Sequence, residues 1–73
     1  MTYEQATTEI RVTDPFDPIA IGHALAMRTT EAFAITDNAT CVRRLAVLER
    51  CSDAIYAYWN PKLKIIRQEY NNE

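Results

Sequence analysis

With one glycine, one histidine and two cysteines among its 73 residues, the chain lacks the raw material for most chemistry. Gly22 stands alone, so no glycine-rich loop can cradle a phosphate or a dinucleotide. Acyl transfer needs a nucleophile, a base and a group that orients the base. His23 is the only ordinary base, and no serine or cysteine lies near it in sequence. His23 and Met27 are one helical turn apart, but such pairs are commonplace, and one histidine with two distant cysteines makes no metal-ligand cluster. The expectation is a protein that is not an enzyme and uses no cofactor, metal or small-molecule substrate.

Long apolar runs are missing as well. No stretch approaches the roughly 20 apolar residues of a membrane span, and the first residues form neither a basic region nor an apolar signal core. The two cysteines, ten residues apart in one expected helix, would lie ~15 Å from each other, too far for a disulfide. Free thiols fit a reducing compartment, so a cytoplasmic protein without membrane contact is expected. A strong excess of either charge is also absent, since the net charge is −2. The charges are nevertheless unevenly placed. Residues 1–40 hold six acids against two bases, and residues 41–73 hold six bases against four acids, which suits contact with two different surfaces.

What is present reads as one small domain, 1–73, mostly α. Its plan is two main helices plus a short C-terminal helix, preceded by an extended N-terminal segment. Residues 1–7 show no period and are expected to fray. From Thr8 to Thr13, Glu9 and Arg11 alternate with Ile10 and Val12, a short β-like pattern. Asp14-Pro15-Phe16-Asp17-Pro18 then places an aspartate cap before a proline at the first helical position, with Phe16 set to staple onto the first turn near Ile21. The first main helix is predicted over Pro18–Phe33. Gly22 inside it costs roughly 0.5–1 kcal/mol, which points to close packing at that position.

Thr36-Asp37-Asn38 forms a turn rich in capping residues, and a second helix is predicted over Ala39–Trp59. Its apolar stripe is Cys41, Leu45, Leu48, Ser52, Ile55 and Trp59, widened by Val42 and Cys51. Asn60-Pro61 should end it. Residues 62–70 fit either a short helix through Leu63, Ile66 and Tyr70 or a strand, with helix favoured by the charged residues and glutamine. Trp59 on the stripe reads as core, whereas Tyr56 or Tyr58 faces outward.

Arg43, Arg44 and Arg50 on the second helix raise a helix-turn-helix reading. The turn has no glycine, the chain is net acidic, and the same helix carries the core stripe, all of which weaken it. A small helical DNA-binding repressor or antitoxin-like module remains the alternative function, and a helical homodimer through the Tyr56–Trp59 end is a third.

Across its whole length the chain resembles the small phage-encoded transcription regulators that bind host bacterial RNA polymerase. The resemblance lies in the Glu9-Ile10-Arg11-Val12 segment, the double Asp-Pro turn, two helices and the basic run Lys62-Leu63-Lys64-Ile65-Ile66-Arg67. It implies a protein in the cytoplasm of a bacterial host that binds the polymerase core subunits, inhibits sigma-dependent initiation and promotes antitermination. Residue type then nominates Ile10, Val12 and Phe16 as apolar protein contacts and Arg11, Arg43 and Arg44 as charged ones. Lys62, Lys64 and Arg67 are candidates for an acidic surface or for nascent RNA held in that complex.

Overall fold

The structure is a computed structural model that describes residues 1–71, with the side chains of residues 66, 67 and 69–71 left out of the description. Three helices follow in order, α1 over Tyr3–Glu9, α2 over Pro18–Phe33 and α3 over Asn38–Asn71, with no strand among the described residues. The protein is mostly α. At about 1.5 Å per residue, the 34 residues of α3 reach about 51 Å. That is nearly the full 52 Å length of a molecule only 21 by 19 Å across. The helix α3 is therefore a spine, and α1 and α2 each pack on it.

Each shorter helix is there for a local reason. α2 starts where Asp17 accepts a hydrogen bond from the Ile19 N–H and Pro18 occupies the first turn. Asp37 caps α3 in the same way, accepting from the Thr40 N–H at 2.9 Å. α1 is held by a reciprocal cap. The Thr2 hydroxyl accepts from the Gln5 N–H, and the Gln5 side chain accepts from the Thr2 N–H at 2.9 Å. One core cluster joins the three: Ala6 and Ile10 from α1 and its end, Ile21, Ala24 and Ala32 from α2, and Leu48, Cys51 and Ile55 from α3. Both cysteines are free, Cys51 fully buried and Cys41 half-buried.

The structure departs from the sequence reading at four places. Residues 3–9 are a capped helix with Ala6 and Thr7 buried, in place of a frayed start and an extended segment. The Ile10-Arg11-Val12 alternation is the termination of that helix. Arg11 adopts φ 58°, and the Arg11 and Val12 N–H groups turn back to the Thr8 and Thr7 carbonyls at 3.1 and 3.3 Å. This is the Schellman pattern, built here on arginine where glycine is usual. Second, Pro61 does not divide the C-terminal half into two helices, because α3 continues through it. The carbonyl that loses its partner belongs to Ala57, an exposed residue, so water can satisfy it. Third, a Cβ placed on Gly22 would meet nothing within 4 Å, so close packing does not explain that glycine. Fourth, Val42 is exposed and lies outside the core stripe.

Candidate docking surface

The most organised surface feature gathers at the start of α1, the α1–α2 connection and the second half of α3. Tyr3 stacks on Tyr58 with ring centroids 4.0 Å apart, and Tyr58 meets Trp59 edge-on at 5.3 Å. The Trp59 indole N–H donates to the Tyr3 hydroxyl at 3.2 Å, and that hydroxyl in turn donates to the Pro15 carbonyl. Pro15 is thereby held in place, which presents Phe16 beside the stack, 6.1 Å from Tyr3 and 6.5 Å from Tyr58. The Phe16 ring stays 63% exposed. Lys62, one turn beyond Tyr58, extends its ammonium over the Tyr58 ring at 4.6 Å and near Trp59 at 5.7 Å, and donates to the Tyr58 hydroxyl at 3.3 Å. The result is a pre-ordered aromatic platform with one outward ring and a positive edge.

The nominated contact residues separate into inward and outward groups. Ile10 is fully buried at the centre of the core and cannot touch a partner. The alternation around it belongs to the end of a helix, not to a strand. Val12 packs half-buried against the same core. Arg11 is exposed but holds Glu31 through one nitrogen at 2.9 Å from both carboxylate oxygens. Arg44 pairs with Glu9 and ties α1 to the spine. Arg28 Nε also lies 3.1 Å from Glu31, close enough for attraction although not aligned as a hydrogen bond.

Phe16, Arg43, Lys62 and Lys64 do reach solvent, with Arg43 donating only to the Thr40 hydroxyl at 3.3 Å. Arg67 lies outside the residues whose side chains are described. The structure brings Phe16 and Lys62 together and leaves Arg43 elsewhere on the spine. The aromatic neighbours of Phe16 are Tyr3 and Tyr58. Tyr3 was missed entirely. Its sequence signal was the capping pair Thr2 and Gln5, which marks α1 and hence the face on which Tyr3 falls.

A second feature is an open apolar groove between α2 and α3, lined by Leu25, Phe33, Leu45 and Leu48, with Phe33 68% exposed at its edge. Two further open depressions are lined by Thr2, Glu4, Gln5, Thr8 and Glu9, and by Met1, Arg50, Asp53 and Ala54. No helix among the described residues is long and apolar enough to cross a membrane. Comparison with protein-family models, with curated proteins and with solved structures finds no match to this chain.

Proposed function

We propose that this chain is a non-catalytic transcription regulator that docks on the core subunits of bacterial RNA polymerase in the host cytoplasm, inhibits sigma-dependent initiation and promotes antitermination. The observation that supports docking is the exposed Phe16 ring fixed beside the Tyr3–Tyr58–Trp59 stack, with Lys62 at its edge. Rigid aromatic anchors next to a cation bury large area at small entropic cost, which is the usual make-up of an energetic centre in an interface. The polymerase as partner comes from the resemblance of the chain to phage-encoded regulators. Occupying a surface that sigma also needs makes the two competitors, and the outcome follows their relative affinities and concentrations. Lys62, Lys64 and Arg67 would face an acidic protein surface or the backbone of nascent RNA in the complex.

Direct reading of duplex DNA is the weaker alternative. Of the three arginines behind the helix-turn-helix reading, Arg44 is already engaged by Glu9. The deciding experiment is retention of the chain on purified core polymerase, combined with run-off and terminator read-through assays in vitro. The expected outcome is co-elution, reduced run-off and increased read-through. Phe16→Ala should weaken retention tenfold or more while leaving thermal unfolding nearly unchanged. Normal transcription at saturating protein overturns the proposal, and a salt-sensitive gel shift on duplex DNA would put the repressor reading in its place.

A further inference from the structure

The core-facing stripe of α3 does not stop where the body of the molecule stops. Within the body it buries Leu48, Cys51 and Ile55 and half-buries Trp59. The same steps of three and four residues carry on through Leu63 and, in the sequence, Ile66 and Tyr70. α1 reaches no further along the spine than the Tyr58–Trp59 level, by its Tyr3 stack. Residues 61–65 are all exposed, with Leu63 at 39%. A core face has thus outrun its own core, and the chain offers nothing among the described residues to cover it.

We infer that this overhanging end of α3 is a helix-docking element whose occupant is an amphipathic helix of another protein with acidic residues flanking its apolar stripe. Written as a heptad, Tyr56, Trp59, Leu63, Ile66 and Tyr70 fall at alternating a and d positions. Lys62 then falls at g and Arg67 at e, the positions that choose the partner. Lys64 adds a third positive charge to the helix, and Glu69, at the following g position, offsets one of the three. A Glu-flanked helix meets this charge pattern favourably and a Lys-flanked one is repelled.

A second copy of this chain packed in parallel is the poorer occupant. Aligned in parallel, it sets Lys62 of one copy against the Arg67 position of the other. The inference rests on the reading of this chain as a docking protein, but not on polymerase being the partner.

The test uses the full chain and two synthetic three-heptad helices with the same leucine seam, one carrying Glu and the other Lys at every e and g position. Binding is followed by fluorescence of Trp59, the only tryptophan, and by amide NMR shifts. The Glu-flanked helix should bind at least tenfold more tightly than the Lys-flanked one and shift amides from Trp59 to Asn71. The double variant Lys62→Glu, Arg67→Glu should reverse the preference, and Leu63→Ser should weaken binding without changing thermal unfolding. Equal binding of both helices, poly-glutamate binding as tightly as the Glu-flanked helix, or sedimentation of the free chain as a dimer each overturns the inference. Because the probes contain no polymerase sequence, a failed polymerase pull-down with successful peptide binding leaves it standing, and the reverse result refutes it alone.

Discussion

At the scale of residues, neighbours ten to twelve along the chain have opposite jobs. Ile10 closes α1 and is fully buried, whereas Arg11 turns the backbone left-handed and sends its side chain outward to Glu31. A left-handed arginine costs roughly 1–2 kcal/mol, which glycine would avoid, but glycine has no guanidinium to hold α2. Ile10→Ala removes atoms from a site that both α1 and the spine enclose. It should cost about 2–5 kcal/mol in urea unfolding and leave the exposed aromatic platform with less support. A loss well under 1 kcal/mol would show that Ile10 is not central to the core. Period-2 alternation over four residues could not separate this helix end from a strand, because both place Ile10 and Val12 on one side. The distinguishing mark, glycine at the turn, was absent.

At the scale of elements, capping signals were the most readable part of the sequence. Asp17 with Pro18 marks the start of α2, and Asp37 the start of α3, because a side-chain oxygen before a free N–H is a purely local device. Stops were less readable. Pro61 carries a local penalty of about 3 kcal/mol inside a helix, yet a single unpaired carbonyl at an exposed position leaves the backbone free to continue. α1, with only seven residues, is too short to display a period, so its capping box was its only signature.

The α3 cap also gives a pH signature. The Thr40 hydroxyl, followed by the Thr40 N–H, holds the Asp37 carboxyl below its ordinary 3.8, with burial opposing slightly. A lowered folded value means that this stabilisation is present above 3.8 and is lost as pH falls through the folded value. Asp37→Ala should therefore lower Tm at neutral pH and converge with the parent chain in strong acid. Parallel Tm curves down to the acid limit would remove the carboxylate from the account.

At the scale of the molecule, elongation is the measurable property. The Cα radius of gyration is 14.5 Å, against about 11 Å for a compact chain of this length. Small-angle scattering of the free chain should return a value near the larger figure with an asymmetric distance distribution. A globular profile would mean that the end of α3 folds back. The aromatic platform could not be read from the sequence at this scale, since Tyr3 and Tyr58 are 55 positions apart and meet only because α1 lies along the spine.

That shared spine has a mechanical consequence. α1 and α2 have little contact with each other, so each is latched to α3 by separate fastenings: the Glu9–Arg44 pair and the tyrosine stack for one, the Ile21, Ala24 and Ala32 face for the other. Releasing the first latch would uncover the thiol of Cys51, which now donates to the Met1 sulfur at 3.5 Å, and leave the antiparallel hairpin of α2 and α3 standing. A reagent that titrates thiols under mild denaturant would then report the opening of the short helix before the rest of the chain comes apart.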